Sequence, residues 1–575
     1  MMGIKLEVNG TSIEAEKGET ILSALNRHGM HVPTICSVKD LSPSGACRMC
    51  VVEVEGKENL VPSCSFPVEA PLKIKTHSPR VLRARKTNVE LLLSNHPDDC
   101  LYCERNGSCE LQSLSEDLNI RERRIPGKRT LHKIDKSSPA IIRDPSKCIL
   151  CGRCVRICEE IMSTSTLDFA FRGNGLRIST TLGKALNYSN CTSCGQCLNA
   201  CPTGALIEHV QFPELDSHIH APGKLVVAQY SPAVAVSLAE KLGYKPGTDM
   251  SGIIHSVLHR YGFDRVFESS FGADLLILEQ AEIYKQVKSS QQDFPLITSS
   301  CPAWVHYAEQ YYPELLPFLS PLKSPQQING ALIREWYARS GELMDKELVS
   351  VLITTCTAAK SEARRMEMTR AGLPVIDLVL TTRELLRMIK LSGLELDQLE
   401  PELPDAPFCS LGSAGKLSGI AGGEVEATIR TLYAQSAGTE MPPSKLHRFR
   451  VHRSYREMSV KAGSSEIRIG AVSGLANVHA VIEELKAGKK KLDILEVMAC
   501  PEGCINGGGQ PIPADEKLLR ARSRAVYDLD NGSELHTAHQ NQPVQDIYRE
   551  LLGAPGGPLS RELFYTTFVK REVLL

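Results

Sequence analysis

The 575-residue sequence lacks both a strong net charge and a long apolar segment. It carries 66 basic and 67 acidic side chains, so its charge gives no reason to expect nucleic acid or an anionic membrane surface as a partner. No apolar run approaches the roughly 18 residues that a membrane-spanning helix needs. Residues 1–8 alternate as a strand does and do not form the apolar core of a signal peptide. These absences predict a cytoplasmic protein with no membrane or nucleic-acid partner.

Cysteine, by contrast, is abundant and unevenly distributed. Fifteen of the twenty cysteines lie between residues 36 and 201, residues 202–300 contain none, and the other five are widely spaced. Disulfides are disfavoured in a reducing cytoplasm, so metal binding or redox chemistry is the leading explanation for this number. The change in cysteine density predicts a domain boundary near residue 210.

The pattern of apolar residues predicts a multidomain α/β protein. The first 70 residues are rich in strands and Gly/Pro turns and indicate a small β-rich unit. After residue 210, buried-strand patterns at 224–230, 347–353 and 467–472 alternate with helical patterns at 232–242 and 324–340. Such alternation is typical of largely parallel sheets with helices on both faces.

The first two groups of possible ligands are each open to more than one interpretation. The first has four cysteines, with one Cys-x₂-Cys pair, and could hold a 2Fe–2S cluster, zinc or nothing at all. The second has three cysteines and a histidine, which suits a 4Fe–4S cluster with one imidazole ligand, although the histidine alone could equally be a surface or capping residue. The first group is Cys36, Cys47, Cys50 and Cys64, and the second is His96, Cys100, Cys103 and Cys109.

The next two groups repeat the spacing Cys-x₂-Cys-x₂-Cys-x₃-Cys. This is the bacterial ferredoxin pattern, in which the fourth cysteine of each run ligates the cluster of the other run. The spacing therefore predicts two 4Fe–4S clusters with exchanged ligands. One set is Cys148, Cys151, Cys154 and Cys201, and the other is Cys158, Cys191, Cys194 and Cys197.

Four of the last five cysteines stand in three separate segments, 298–304, 354–362 and 496–511. From chemistry alone, four cysteines that follow a series of clusters predict one more 4Fe–4S centre. The glycine run 507–509 would let the backbone approach an inorganic group, although such a run is usually just a turn. Cys409 lies in no motif and is expected to be a small buried apolar residue. The predicted ligands are Cys301, Cys356, Cys500 and Cys504.

Together these motifs resemble the FeFe-hydrogenases. The three downstream segments resemble the signature motifs of their catalytic domain, and the upstream cysteine groups resemble their iron–sulfur relay, which is also similar to the large subunit of complex I. The resemblance favours a 2Fe–2S cluster over zinc at the first group, and ligation by His96 at the second. It implies a plant-type ferredoxin-like domain at 1–79, a His-Cys₃ domain at 80–125, a two-cluster ferredoxin domain at 126–210 and a catalytic domain at 211–575.

The resemblance also implies the cofactors and partners. These are one 2Fe–2S cluster, three accessory 4Fe–4S clusters and the H-cluster, a 4Fe–4S cubane that Cys504 bridges to a di-iron unit with CO, cyanide and azadithiolate ligands. The implied reaction is 2H⁺ + 2e⁻ ⇌ H₂, with ferredoxin or a similar electron carrier and with maturation proteins that install the di-iron unit. Met498 matches a catalytic position, and Gln326 and Gly419 match cofactor-binding positions.

The sequence departs from the family pattern where protons move. Ser300 replaces the cysteine that shuttles protons, and a hydroxyl passes a proton only by donating and accepting at once. Gln280 and Ile283 occupy the positions of the two relay glutamates, while Ser320 matches the relay serine. Three of the four side chains of the usual proton route are therefore absent.

Both side-chain donors to the cyanide ligands are also replaced. Ala233 and Ala359 occupy those positions, and Lys360, one residue further on, is expected to point elsewhere. Removing a charged donor from a buried anion costs roughly 1.5–3 kcal/mol. The ligands are thus kept while their surroundings are changed, which predicts a hydrogenase with an altered rate or direction.

Two other functions remain as alternatives. An H₂ sensor would need no fast turnover, and a pure electron conduit of the complex I type is disfavoured by the three downstream cysteine motifs. If the protein is catalytic, protons need another route. Glu279 and Glu282 lie next to the lost relay positions and are the candidates for it.

Overall fold

The computed structural model describes residues 3–127, 129–290, 294–409, 412–451, 453–463, 465–512 and 515–572. The chain is a multidomain α/β protein. Three small units precede a large α/β domain that contains two four-stranded sheets. Among the described residues, no helix is both long and apolar enough to cross a membrane.

The first unit is a five-stranded sheet in the order β2-β1-β5-β3-β4. Alternate side chains of the first hairpin, such as Leu6 and Val8, are fully buried and face the same core as helix α1. Thr20 caps that helix, because its hydroxyl accepts a hydrogen bond from the Ser23 backbone N–H. The elements are β1 (Ile4–Val8), β2 (Thr11–Ala15), α1 (Ile21–Arg27), β3 (Val51–Val54), β4 (Val61–Pro62) and β5 (Leu72–Lys75).

The second unit consists mainly of helices α2 (Pro79–Asn95) and α3 (Glu110–Asp117). Helix α2 begins after the capping Ser78, with a proline at its first position. The buried guanidinium of Arg85 donates from Nη2 to the Val51 carbonyl oxygen at 2.9 Å and thereby attaches the helix to strand β3. The first two units therefore pack as neighbours.

The third unit is a pair of two-stranded antiparallel sheets with two short helices. Strands β6 and β9 pair with each other, as do β7 and β8. Each helix begins after a glycine with positive φ, Gly152 and Gly195, a conformation that favours glycine. The elements are β6 (Ile141–Arg143), α4 (Arg153–Arg156), β7 (Asp168–Ala170), β8 (Arg177–Ser179), α5 (Gln196–Ala200) and β9 (Leu206–Glu208).

The large domain begins with a fully parallel sheet in the order β11-β10-β13-β16. The buried-strand patterns at 224–230 and 347–353 correspond to β10 and β13, and the helical pattern at 324–340 to α11. The elements to this point are α6 (Phe212–Ile219), β10 (Lys224–Tyr230), α7 (Pro232–Ala235), α8 (Ser251–Tyr261), β11 (Arg265–Glu268), α9 (Ser270–Ser289), β12 (Leu296–Ile297), α10 (Pro302–Tyr311), α11 (Pro325–Ser340), β13 (Glu347–Thr354), α12 (Ala358–Glu362), β14 (Thr369–Arg370), β15 (Leu373–Pro374), β16 (Leu378–Thr381) and α13 (Thr382–Ser392).

The second sheet of this domain has the order β12-β19-β18-β17, with only the β17–β18 pair antiparallel. Strand β18 contains the predicted 467–472 segment. The remaining elements are α14 (Gly423–Ala437), β17 (Tyr455–Ala462), β18 (Ser465–Ser473), α15 (Leu475–Lys486), β19 (Ile494–Met498), α16 (Glu516–Asn531), α17 (Gln542–Ile547) and α18 (Pro558–Phe564).

One helical prediction was wrong in extent. The apolar pattern at 232–242 predicted a continuous helix, but α7 ends at Ala235 and a short 3₁₀ turn follows at 239–241. Ser237 is buried; its hydroxyl donates to the Ala233 carbonyl oxygen and accepts a hydrogen bond from Gln510 Nε2 at 2.7 Å. Side-chain hydrogen bonds of this kind compete with helix propagation and are set by tertiary contacts that the local pattern does not contain.

The C-terminal helices are joined to the rest of the domain by a buried charge network. Asp530, on α16, accepts a hydrogen bond from Arg430 Nη2 at 2.8 Å and pairs with Arg450. Glu426 binds the same two guanidinium groups and is fully buried. These charges pack helix α16 against helix α14.

Candidate functional site

The four downstream cysteines converge on one cavity inside the large domain. Cys356 follows β13, Cys500 and Cys504 follow β19, and Cys301 precedes helix α10. The site therefore lies beyond the carboxyl ends of parallel strands from both sheets, the usual ligand-binding edge of α/β domains. Segments that are far apart in sequence thus place four sulfurs around one space.

The protein surroundings keep these thiols protonated unless a cation is present. Burial raises the pKa of all four thiols, to about 12 for Cys504 and well above the ordinary value for Cys356 and Cys500. Thiolate is the form that binds metal, and iron stabilises it by direct coordination. Four converging buried thiols with no counter-charge of their own therefore fit an iron–sulfur group.

Other predicted site residues line the same cavity. Ser300, Gln326, Gly419 and Met498 all contribute to its wall. Ala233 is fully buried and packs on Gly419, because a Cβ added to that glycine would lie 3.4 Å from the Ala233 Cβ. These five positions come from five separate elements or loops, and the fold brings them together.

The cavity is directly adjacent to the last upstream cysteine group. Cys194 lines both this cavity and the one formed by Cys158, Cys191 and Cys197. A companion cavity is lined by Cys148, Cys151, Cys154 and Cys201. The structure thus places Cys158 with the second cysteine run and Cys201 with the first.

The His-Cys₃ group contains a buried histidine whose ring has one unused nitrogen. His96 Nδ1 lies 3.0 Å from the Pro97 carbonyl oxygen, while Nε2 is buried and has no hydrogen-bond partner in the described part of the chain. Burial lowers the pKa of this imidazole, which favours the neutral form that binds metals. An Nδ1–H bond to a carbonyl with a free Nε2 is the arrangement expected of a metal-ligating histidine.

The first cysteine group is compact and deeply buried. The Cys36 thiol contacts those of Cys47 and Cys64, and the Cys50 thiol also contacts that of Cys64. The Cys36 backbone N–H donates to Cys47 Sγ at 3.4 Å. Four thiols in mutual contact, three of them almost fully buried, fit a small cluster that satisfies all of them.

Three cysteine groups meet at one apolar junction. Cys36 of the first group, Cys109 of the second and Cys151 of the third pack in the same hydrophobic cluster, together with Val89 and Leu111. Clusters at the first two groups would therefore both lie beside the third. The first and second cysteine groups thus both adjoin the third.

The glycines at 507–509 serve backbone packing. A Cβ at Gly508 would lie 2.2 Å from the Cys194 carbonyl oxygen, and one at Gly507 would lie 2.3 Å from the Thr355 carbonyl oxygen. Opposite Gly508, Gly195 has a positive φ and no room for a Cβ. The glycine run therefore lets the ferredoxin-like unit contact the floor of the cavity directly.

Comparisons with known proteins support this arrangement along the whole chain. Residues 224–508 match the family described as iron only hydrogenase large subunit, C-terminal domain, and residues 516–571 match iron hydrogenase small subunit. Upstream, residues 2–79 match a 2Fe-2S iron-sulfur cluster binding domain. Residues 85–124 match the NADH-ubiquinone oxidoreductase-G iron-sulfur binding region, and residues 138–207 match the ferredoxin-like domain of NADH-quinone oxidoreductase subunit 3.

Individual relatives extend over the full length. The NADP-reducing hydrogenase subunit HndD of Solidesulfovibrio fructosivorans is 37% identical over 100% of both chains. Iron hydrogenase 1 of Clostridium pasteurianum is 32% identical over 98% of this chain and 99% of its own. The chain belongs to the iron-only hydrogenase family. As a hydrogenase it is an oxidoreductase that binds 2Fe–2S and 4Fe–4S clusters and acts on hydrogen through them.

Solved structures of hydrogenases agree with the fold. An apo FeFe-hydrogenase variant from Chlamydomonas reinhardtii is 31% identical, with a TM-score of 0.57, and covers 64% of this chain and 100% of its own. The structure that revealed stepwise assembly of the H-cluster matches with the same score and identity. Both cover close to two thirds of this hydrogenase.

The predicted relay residues of this hydrogenase fall in two different places. Ser320 donates to Gln280 Oε1 at 2.7 Å, and both side chains are fully buried, so these two matched positions are in contact. Glu279, on the same helix α9, instead accepts hydrogen bonds from Tyr548 Oη at 2.7 Å and Tyr565 Oη at 3.2 Å. Glu282 is partly exposed and pairs with a surface lysine, Lys285. The two candidate glutamates are not among the residues that line the cavity.

In the segment 354–362, which contains Cys356, the alanine and the lysine that follow it have separate surroundings. Ala359 is fully buried in the hydrophobic core. The side chain of Lys360 is buried away from the cavity, where Nζ donates to Glu384 Oε2 at 2.7 Å and to the His209 carbonyl oxygen at 2.6 Å. Within the described residues, no lysine lines the cavity of this hydrogenase.

One cavity residue was missed by sequence reasoning. Glu424 is 3% exposed and lines the cavity beside Ser300. It is the second residue of helix α14, in the sequence Gly422-Gly423-Glu424, and belongs to none of the motifs. No local spacing signals its position, because the contact with the cysteine segments exists only after folding.

Proposed function

We propose that the chain catalyses the reversible conversion of H₂ into two protons and two electrons. The observation that carries the proposal is the cavity itself, where Cys301, Cys356, Cys500 and Cys504 converge next to Cys194 of the relay. A hydrogen-activating centre needs both a buried cofactor site and a path for electrons. The shared cavity wall of the four cysteines and Cys194 supports both requirements.

The four cysteines would hold the H-cluster, with Cys504 as the bridging ligand to the di-iron unit. When bound, that group supplies the site at which hydrogen is activated. The protein's own contribution is to hold it, exclude water and shape the cavity through Met498, Gln326 and Gly419. Ala233 and Ala359 leave it without the two side-chain donors to cyanide that the family pattern contains.

The upstream groups would hold four relay clusters. These are a 2Fe–2S cluster at the first group, a 4Fe–4S cluster with His96 as one ligand at the second, and two 4Fe–4S clusters with exchanged fourth cysteines. The unused Nε2 of buried His96 and the two cavities that mix the cysteine runs support these assignments. Electrons would then pass from either peripheral site to the third group and on through Cys194.

Two electron partners fit the chain. Ferredoxin is the partner of choice for the chain on its own, since the relay contains only one-electron clusters. The full-length similarity to a subunit of an NADP-reducing hydrogenase favours a second candidate, in which a nicotinamide-binding subunit docks on the relay. Reduced ferredoxin should support H₂ evolution by the purified chain, whereas NADPH should require the additional subunit.

The surroundings of the site favour a changed rate or bias. Ser300 replaces a thiol. Two further positions of the usual proton route are occupied by Gln280 and Ser320, which are hydrogen-bonded to each other and contain no ionisable group. An H₂-sensing role is the second candidate, because a site that binds gas without efficient proton delivery turns over slowly. Sensing would give infrared changes of the cofactor under H₂ with turnover far below the rate of cofactor reduction.

Two further features complete the proposal. The protein would depend on maturation proteins, because a di-iron unit with CO and cyanide ligands does not assemble from free ions. The chain would act in the cytoplasm, where the reducing pool keeps cysteines available as cluster ligands.

The test is anaerobic maturation followed by activity and infrared measurements in one sample. H₂ uptake and evolution should both be detected, with CO and cyanide bands of the loaded cofactor. Cys356→Ser should abolish the bands and the activity, whereas Cys409→Ser, a matched change outside the cavity, should keep both. Cofactor bands without H₂ conversion in either direction would contradict catalysis and favour the sensor.

A further inference from the structure

Glu424 places a carboxyl beside Ser300, the residue that replaces the proton-shuttling cysteine. Its side chain lines the same cavity as Ser300 and the four cysteines. The carboxyls suggested by the usual route lie elsewhere, since Glu279 is bound by two tyrosines and Glu282 lies toward the surface. Among the described residues, Glu424 is thus the one side chain, apart from the cysteines, that lines the cavity and can ionise.

Both groups are buried and free to interact. Ser300 Oγ and Glu424 Oε2 are inaccessible to solvent, and neither makes a well-formed hydrogen bond within the described ranges of the chain. The Ser300 hydroxyl is nevertheless close enough to stabilise the charged form of the Glu424 carboxyl. Two buried polar atoms left without fixed partners are costly for a fold, and side by side they indicate a functional arrangement.

The backbone that carries Glu424 is held by a second glutamate. Glu496, on β19, accepts the Gly422 N–H at 2.6 Å and the Val425 N–H at 2.8 Å, so its carboxylate caps the first turn of α14. Burial raises the pKa of Glu496 to about 7, while the N–H groups of the helix N-terminus and Arg456 oppose that rise and favour its charged form. Glu424 receives no such stabilisation apart from Ser300.

We propose that Glu424 is the proton-relay residue of this site and exchanges protons with the cavity through the Ser300 hydroxyl. In one direction the Glu424 carboxyl gives its proton to Ser300 Oγ while the Ser300 hydroxyl proton moves into the cavity; the reverse direction restores both groups. One O–H bond forms for each that breaks, and no electrons move. The inference rests on the proposed function, because only a proton-consuming reaction gives the route a purpose.

The electrostatics of the pair support this assignment. Burial and the neighbouring Glu496 raise the pKa of Glu424 to about 8, so it remains neutral and able to donate at neutral pH. The other groups that face the pair are Arg456, which acts on Glu496, and Cys504, whose own pKa both carboxyls raise. A carboxyl with a pKa near the working pH is effective as both proton donor and acceptor.

The first experiment compares variants of the matured enzyme. Glu424→Gln keeps the size of the side chain and removes its proton, and should reduce turnover in both directions by roughly a hundredfold. Glu424→Asp, the matched control that keeps a carboxyl, should retain most of the activity. Ser300→Ala should lose about as much as Glu424→Gln, and the double variant no more, because both residues act on one route.

Cofactor loading is checked by iron content and by the infrared bands of each sample. Normal turnover of Glu424→Gln with a fully loaded cofactor would overturn the proposal. So would a large loss in Glu279→Gln combined with none in Glu424→Gln, since protons would then follow the other glutamate.

The second experiment does not depend on turnover. Protein that contains its iron–sulfur clusters but not the di-iron unit should show the carbonyl stretch of a neutral carboxylic acid, which disappears as the pH rises through about 8. That band should be absent from Glu424→Gln and shifted in Ser300→Ala. Identical carboxylic acid bands in wild type and Glu424→Gln would overturn the assignment. A wild type with this band and no hydrogen chemistry would instead refute the proposed function.

Discussion

Substituting Lys360 by methionine tests how the ferredoxin-like unit is fastened to the catalytic sheet. Lys360 and Glu384 form an ion pair with both side chains 1% exposed. Glu384 also accepts the backbone N–H groups of Gln211 and Phe212, which lead out of the ferredoxin-like unit, and that of Thr381 at the end of β16. Lys360→Met therefore removes one cation and leaves a buried anion at the junction.

The size of the effect follows from what remains around the carboxylate. Breaking a buried ion pair by removing one partner costs about 3–5 kcal/mol. Glu384 keeps its three backbone donors, so the lower end, about 3 kcal/mol, is expected. Since about 1.4 kcal/mol corresponds to a factor of ten, this is roughly a hundredfold increase in local opening.

The pH dependence has a definite sign. Burial already raises the pKa of Glu384, and loss of Lys360 raises it further. A carboxyl whose folded-state pKa lies above the unfolded value contributes stability at low pH that is lost as the pH rises. The cost of Lys360→Met should therefore grow as the pH rises above the ordinary pKa of a glutamate. The double variant with Glu384→Gln should recover part of the loss.

Amide hydrogen exchange of the residues around the junction is the suitable assay, because it reports local opening in a multidomain protein. The N–H groups of Gln211 and Thr381 should exchange roughly a hundredfold faster in Lys360→Met. Lys390→Met, which removes an exposed lysine from the same helix as Glu384, serves as the control. Equal exchange in the two variants would show that the buried pair does not hold the junction.

Three further predictions concern separate parts of the chain. Asp530→Asn should destabilise the C-terminal helices by up to about 3 kcal/mol, because Arg430 loses one of its two buried carboxylate partners and keeps Glu426. Burial alone would raise the pKa of Asp530, but Arg430 and the Ser413 hydroxyl hold it below its ordinary value of 3.8. The stability that the Asp530 carboxylate adds is therefore lost as the pH falls below 3.8. The difference in melting temperature between Asp530→Asn and wild type should shrink below that pH. Ser300→Cys alone should not bring turnover to the level of thiol-containing relatives, because Gln280 still interrupts the usual route; full recovery in a hydrogen-evolution assay would contradict this. His96→Cys should retain iron but lower the reduction potential of that cluster in a redox titration, since thiolate adds negative charge; an unchanged potential would argue against ligation by His96.

The grouping of the upstream cysteines could be predicted, because metal ligation requires particular residue types at short spacings. The strands at 224–230 and 347–353 were predictable for a similar reason, since burial on both faces leaves an unbroken apolar run. Both signals are local. They are present in the sequence before any tertiary contact forms.

The surroundings of the site were not predictable in this way. Glu424 and Glu496 meet only because α14 packs against the end of β19, and Lys360 pairs with a glutamate on another helix. The glycine run could be interpreted as a close approach to an inorganic group or as a turn, and neither interpretation contained the carbonyl oxygens of Thr355 and Cys194 that leave no room for a Cβ at two of its glycines. Such contacts depend on how distant elements pack, which residue spacing does not encode.

The meeting of Gly508 with the Cys194–Gly195 turn has a consequence for the speed of electron transfer. Electron tunnelling weakens steeply with separation, and here the backbone of Gly508 lies directly against that of Cys194 and Gly195, with the Thr357 side chain beside both glycines. Any larger residue at either glycine would have to widen this gap. For the proposed relay, a single methyl group at this contact is therefore expected to slow the last electron step without changing any cysteine ligand.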